Sequence, residues 1–393
     1  MTSSTHVWLE GRSSVENEIC VSAMIESPQS KPVRLWYRFP VETASLLTES
    51  GDPFVLGTLF LAMRAGTDLV IHGQVSPSLL KNLEEYQALW ACWQPSRYRR
   101  VGISCDLERE DTRLVASKQA VVAFSGGVDS CFTVWRHRTN SCGRLKRKVS
   151  AGLMVHGFDI PLEKKKIFDR AAARSALLLE SLNVGLIPMA SNFRSLGDYW
   201  GDAHGAAVAS CLMMLQGGYD EGLIGSTWTY DTAIPWGSSP VGDWMLSNQM
   251  FQNIHDGAAF SRADKLQTIA SWPEAQRYLR VCWAGRENDR NCCHCEKCIR
   301  TILNFRALGL GLPKCFERDV SDQQIANLAG LQAGALNELK RVLILARQKG
   351  LKDSWVDALE KCVRKNQRAL DGWTLKRVRN GLQRRLPFAH VGA

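Results

Sequence analysis

The chain has 393 residues, 45% apolar and 22% charged, a length and balance that allow two or three packed domains and exclude a disulfide-stapled miniature, a fibre or a disordered chain. The longest strongly apolar stretch, Val55–Met63, is far short of the roughly 20 residues that cross a bilayer, so no membrane partner is expected. The net charge of +10 is local: Lys340–Arg385 holds 14 Lys/Arg against 4 Asp/Glu, leaving 35 against 35 elsewhere. The opening Met1-Thr-Ser-Ser-Thr-His has no basic segment followed by an apolar core, so nothing marks export and a cytoplasmic location is expected.

In a reducing compartment clustered thiols hold metal or do chemistry. Eight of the 13 cysteines are scattered singly, from Cys20 to Cys362, and are expected to be small buried hydrophobes. The other five fall between Cys282 and Cys298.

Residues 1–116 open with strand-like runs at Val7–Gly11, Glu18–Ile25 and Val33–Phe39, then helical stretches Pro53–Ala65 and Pro77–Trp93 around the short strand Asp68–His72. They are expected to form a small N-terminal α+β domain of unassigned role, with His72 and Cys92 as packing residues. It offers a surface for a protein partner. From residue 117 to 312 the pattern becomes strand, loop, helix. Ala120–Phe124 and Ser150–His156 read as strands, Leu162–Asn183 as a long helix, Val184–Met189 as a strand, His204–Gln216 as a helix and Gly222–Gly225 as a strand. That alternation predicts an α/β fold, a doubly wound parallel sheet whose ligands sit beyond the carboxyl ends of the strands. Residues 313–393 are expected to be helical and basic, with breaks at Gly350, Gly372 and Gly381. Such a tail suits RNA or an acidic partner, but a solvated helical hairpin is the simpler reading and is favoured here.

Two motifs carry chemistry. After the strand Val121–Phe124 comes Ser125-Gly126-Gly127-Val128-Asp129-Ser130 and then a helix. The glycines admit an anion close to the backbone, and the serines and the helix start supply donors, so the turn grips phosphate. It lacks the lysine of a Walker loop and the spacing of a dinucleotide loop. Downstream, Cys292-x-x-Cys295-x-x-Cys298 forms a knuckle, and Cys282 can close a tetrahedron around a structural zinc ion. Cys293 and His294 are left outside that set.

The first motif resembles the pyrophosphate loop (PP-loop) of the N-type ATP pyrophosphatases. With the cysteine cluster in Arg280-Val-Cys-Trp and Asn291-Cys-Cys-His-Cys-Glu-Lys-Cys-Ile-Arg-Thr301, the chain resembles the 7-cyano-7-deazaguanine synthase family. The resemblance spans about residues 121–310. It implies an adenine nucleotide alpha hydrolase-like domain that binds ATP and Mg²⁺ and carries Zn²⁺ in its knuckle. It implies a carbon–nitrogen ligase that adenylates a carboxylate or amide oxygen, releases AMP and pyrophosphate, and joins the product to ammonia or an amine. On that reading Ser125, Gly126, Gly127, Val128, Asp129 and Ser130 hold the departing pyrophosphate, His156 and Asp159 lie where adenosine is contacted, and Ser226 and Thr227 lie near phosphate or metal. Asp129, Asp159 and Asp231 are candidates to carry Mg²⁺ with the phosphates. Arg262 and Lys265, three apart and on one face of a helix, are candidates to neutralise phosphate or carboxylate charge. The chain departs from that family in its long N-terminal region and in Tyr230–Pro240, where Trp236-Gly-Ser-Ser-Pro240 replaces the substrate-reading segment, so a different small-molecule acceptor is implied. Trp228, Trp236 and Trp244 recur every eight residues there, which suits a flat or apolar acceptor or a tryptophan core. The same loop also serves tRNA or small-molecule thiolases, and a non-catalytic modification or defence-complex subunit would keep the fold.

Overall fold

A computed structural model describes residues 4–28, 30–112, 118–232, 234–282 and 284–383, without the side chains of Val15 and of residues 373–383. β1 (Ser4–Val15), β2 (Glu18–Glu26) and β3 (Val33–Pro40) form an antiparallel meander. α1 (Asp52–Ala65) then returns the chain to β4 (Asp68–Val75), parallel to β1, and α2 (Pro77–Trp93) leads to β5 (Ile103–Glu108), parallel to β4. The second half contains β6 (Ala120–Ala123), α3 (Val128–Arg138), β7 (Val149–His156), α4 (Lys165–Glu180), β8 (Gly185–Ser191), α5 (Trp200–Met213), β9 (Glu221–Gly225) and β10 (Gln252–Asp256). All strands join one mostly parallel sheet in the order β10-β9-β6-β7-β8-β3-β2-β1-β4-β5. The α/β, helix-covered parallel sheet expected from the alternation is present in its second half.

The first 116 residues differ from expectation. Their strands do not stand apart but extend the sheet, joined where Tyr37 and Arg38 of β3 face Ser191 and Ala190 of β8 in an antiparallel ladder. The reason is apolar surface on every side of two helices. α1 is buried from Asp52 to Met63, and α5 buries Ala203, Ala206, Ala207, Ala209 and Leu212. A helix apolar all round must be enclosed on all sides; here α1 and α5 pack on each other, with the Tyr37 hydroxyl bonded to Ser210 at 2.5 Å. One buried cluster accordingly runs from Val7 through Leu59 and Leu212 to Phe251. The expected boundary at 116/117 falls on residues outside those described. Four of the eight scattered cysteines, Cys131, Cys142, Cys211 and Cys362, are buried, whereas Cys92 is exposed.

Residues 1–290 and 291–393 are two compact units. α6 (Arg262–Ile269) and α7 (Pro273–Tyr278) complete the first. The second is helical: α8 (Glu296–Leu308), α9 (Asp322–Asn327), α10 (Ala333–Gln348) and α11 (Ser354–Gln383). Leu336, Leu339, Val342, Leu343 and Ala346 form the buried stripe of α10, which packs on α11. Gly350 ends a helix at φ 69°, as expected, while Gly372 and Gly381 lie inside α11. The last ten residues of the basic tail lie outside the described residues. No helix among the described residues is long and apolar enough to cross a membrane.

The turn from β8 to α5 carries Asp198, whose side chain is 2% exposed and lies 3.3 Å from the Arg64 guanidinium. Burial outweighs that charge and pushes its pKa up to about 6. A folded-state pKa above the unfolded value means that the fold binds this proton more tightly, so stability is lost as pH rises through the window from about 4 to 6. Asp198→Asn is therefore expected to raise stability at pH 7.5, by up to about 3 kcal/mol for a shift of roughly two pKa units, with a smaller gain at pH 5. Urea unfolding at the two pH values measures this, and an unchanged or lowered midpoint at pH 7.5 would contradict it.

Candidate functional site

In chain order, β6 to β10 lie 3-2-1-4-5 across their half of the sheet. β6 thus sits at the switch point, where the chain leaves toward β7 on one side and returns to β9 on the other, opening a crevice at the strands' carboxyl ends. Ser125–Gly127 fill that position. Gly126 takes φ 73°, a left-handed turn that glycine adopts without strain, and α3 starts directly after Gly127, so the positive end of its dipole stands at this turn. Ser125 is exposed, and its Oγ accepts the Gly127 N–H at 3.3 Å. Val128 and Ser130 are buried, and the Ser130 hydroxyl turns back to the Gly127 carbonyl. At the end of β9, a Cβ on Gly225 would lie 2.8 Å from the Asp129 carbonyl oxygen. Glycine there lets the first turn of α3 rest on the strand.

Asp129 faces two cations. Lys265, 1% exposed, places Nζ 2.9 Å from Asp129 Oδ1 and donates also to the Ser226 carbonyl, and the Arg262 guanidinium stands 3.8 Å from Oδ2. The Ser261/Asp264 capping box starts α6 and sets Arg262 and Lys265 on their common face. Arg280, which sequence reasoning left as a flanking residue, holds the loop from the other side. Its backbone N–H donates to the Gly126 carbonyl (2.7 Å), Nε to the Ser125 carbonyl (3.2 Å), and Nη2 lies 3.6 Å from Asp159. Its partners on the loop, Ser125 and Gly126, stand about 155 residues upstream, so no local pattern announces it.

Deeper in, α3 is tied to β10 by Asp256, which accepts from Thr133 Oγ1 (2.9 Å) and faces His137 Nε2 (3.2 Å) and Arg136 (3.7 Å). Burial works to raise this carboxyl's pKa, but His137, Arg136 and Thr133 together outweigh it and hold it below the usual value.

The remaining expected residues are dispersed. His156 is buried against the Phe168 ring at 4.5 Å, its Nε2–H donates to the Pro161 carbonyl, and burial lowers its pKa. Thr227 is exposed, and Asp231 sits on an exposed single turn. Among the described residues the sole group of three or more His, Cys, Asp or Glu close enough to share an ion is made of cysteines. Of the three aspartates, Asp129 faces Lys265 and Arg262, and Asp159 faces Arg280.

Ser226 is fully buried at the end of β9, and its hydroxyl belongs to a relay that sequence reasoning missed. His255 Nε2 is 2.8 Å from Ser226 Oγ, and His255 Nδ1 is 2.8 Å from Asp243 Oδ2. Asp243 is fully buried and also accepts from the Ser238 hydroxyl (2.7 Å) and the Ser239 N–H (3.0 Å). Of the three recurring tryptophans, Trp228 and Trp236 meet edge to face at 6.4 Å. Trp236 continues through His204 and Trp200 to Phe158, a half-buried aromatic wall beyond β7 and β8. Trp244 is 53% exposed and apart from that wall.

The sulfur atoms of Cys282, Cys292, Cys295 and Cys298 lie within 4.8 Å of one another. Four convergent thiols are a donor set that can hold zinc, with no position left open for catalysis. Cys293, at φ 62°, turns its thiol to the Asn291 carbonyl, and exposed His294 turns Nδ1 to the Cys292 carbonyl, so both stand outside the set as expected.

No family model, curated protein or solved structure matches the chain.

Elemental analysis of the purified protein is expected to find one zinc per chain. Binding to such a module is folding energy, on the order of 10 kcal/mol, so Cys295→Ser is expected to lower the melting temperature markedly, and Cys293→Ser to leave zinc content unchanged. A zinc-free protein, or a brown oxygen-sensitive one, would overturn the assignment.

Proposed function

We propose that the chain is an ATP-dependent carbon–nitrogen ligase, similar to the 7-cyano-7-deazaguanine synthases but with another acceptor. It would adenylate a carboxylate or amide oxygen, release AMP and pyrophosphate, and pass the activated carbon to ammonia or an amine. The observation that carries the reading is the Ser125–Ser130 turn at the switch point, flanked by Arg262, Lys265 and Arg280.

In this mechanism the turn's N–H groups and the Ser125 hydroxyl meet the β- and γ-phosphates, and Arg262 and Lys265 meet the charge that develops on the departing pyrophosphate. Such donors act with little reorganisation because Arg280 and the buried Lys265 already fix them. Asp129 is a counter-ion that holds the two cations in place until the anion arrives. The Phe158–Trp236 wall bounds the side on which an acceptor can lie. Magnesium would arrive with the phosphates, with Asp129, Asp159 and Asp231 as its candidate carboxylates, and no step is assigned to it. The four thiols would hold zinc as a fold element.

Incubation with ATP and candidate carboxylates is expected to yield AMP and pyrophosphate; ADP and orthophosphate would refute the reading. Ser125→Ala removes an exposed donor and is expected to slow turnover about 100-fold, the scale for loss of one transition-state donor, with an unchanged melting temperature. Asp129→Ala differs, because it strands the buried Lys265 ammonium: breaking such a pair costs about 3–5 kcal/mol, and this variant is expected to lose stability as well as activity. Asp129→Asn, scored by calorimetry beside turnover, separates the two losses.

A further inference from the structure

A cavity of about 500 Å³ opens along β10, one of the two edge strands of the sheet. Its walls hold the rings of Tyr230 and Trp244, 65% and 53% exposed, four carboxamides that include Asn82 and Asn253, and the imidazole of His255. None of its lining side chains is a lysine, an arginine or a thiol. Behind His255 stands the buried Asp243 carboxylate. Ring faces and an imidazole backed by a carboxylate favour a positive donor of hydrogen bonds. A bare ammonium ion fills about the share of one water, roughly 30 Å³, so the cavity has room for a carbon substituent lying against the rings.

We propose that this cavity binds a primary organic amine in its ammonium form, and that His255, held by Asp243, accepts the proton that makes it a nucleophile. The step rests on the ligase reading; the binding site does not. Because Nδ1–H donates to Asp243, Nε2 is the basic atom of the neutral ring. The Ser226 hydroxyl has two acceptors in reach, Nε2 and the Trp228 carbonyl, and turning to the latter frees Nε2. One ammonium proton passes to Nε2. The amine nitrogen then bonds to the acyl carbon of the adenylate, the second proton leaves the tetrahedral adduct for solvent, and the carbon–oxygen bond to AMP breaks with its electron pair on the phosphate. The site lies one residue from the nucleotide end, since the Ser226 carbonyl receives Lys265, the partner of Asp129.

The test uses the full chain and three probes of one shape: benzylammonium, benzyltrimethylammonium and benzyl alcohol. Calorimetry is expected to detect both cations and not the alcohol, with Trp244→Ala weakening benzylammonium about tenfold, the scale of one cation–π contact. Trp244 is on the surface, so this variant is expected to fold. In [¹⁵N]histidine-labelled protein, benzylammonium is expected to move the His255 Nε2 resonance, identified by its loss in His255→Gln. Benzyltrimethylammonium, which has no N–H to donate, is expected to leave it in place. Equal binding of the alcohol, or no binding of either cation, overturns the site. Equal movement by both cations overturns the role of His255. AMP and pyrophosphate formation without amine binding would sink this inference alone, and amine binding without ATP cleavage would sink the ligase reading and leave the site standing.

Discussion

The buried ammonium of Lys265 is the constraint on which the site depends. Removing such a charge from water costs several kcal/mol unless it is paired and hydrogen-bonded. Its partners are the Asp129 carboxylate on α3, the Ser226 carbonyl after β9 and, 6.0 Å away, the Phe132 ring. Three segments separated by about 40 to 140 residues are thereby held to one geometry. The loop before α3 inherits that rigidity, since Asp129 lies in the first helical turn and Arg280 grips the other end. An anion entering the crevice finds its cations already oriented, and it competes with Asp129 for charge that the fold has gathered.

How much of this was legible depends on whether the physics is local. Ser125–Ser130 is readable because strand, glycine turn and helix start are contiguous, and the cysteine knuckle because three ligands fall within seven residues. The exclusion of Cys293 rests on the resemblance, whose family commonly has Gly at that place, and the thiol turns to the Asn291 carbonyl. Arg280 and the Asp243–His255–Ser226 relay have no such signature: their partners are 12 to 155 residues away, and a lone His or Arg in sequence looks the same whether it is tied to a loop or to solvent. For His156 the strand position was legible and the ring contact was not. It ends a strand at the expected edge, but its ring turns under the following loop to stack on Phe168.

The N-terminal half failed to read as part of the sheet because the decisive contact is small. Only two residue pairs join β3 to β8, and neither strand's composition marks it. What does carry the information is apolarity without a stripe in α1 and α5. Each helix has no solvent face, so the two segments bearing them must share a core. The union also covers β8, which would otherwise expose a row of unpaired backbone groups, and leaves β10 and β5 as the edges.

Ser226 divides its two polar functions between two networks. The carbonyl serves Lys265 and, through it, the phosphate turn; the hydroxyl serves His255, Asp243 and the β10 cavity. A leaving group and a nucleophile must approach one reacting carbon from separate directions at fixed distance, and alignment of that kind accounts for a large part of the barrier that positioning can remove. In the proposed ligase, anchoring both directions to one buried residue at the end of β9 would meet that demand with little freedom to drift. Enclosure of Ser226 keeps that division intact, since a hydroxyl open to water would exchange its two internal acceptors for solvent.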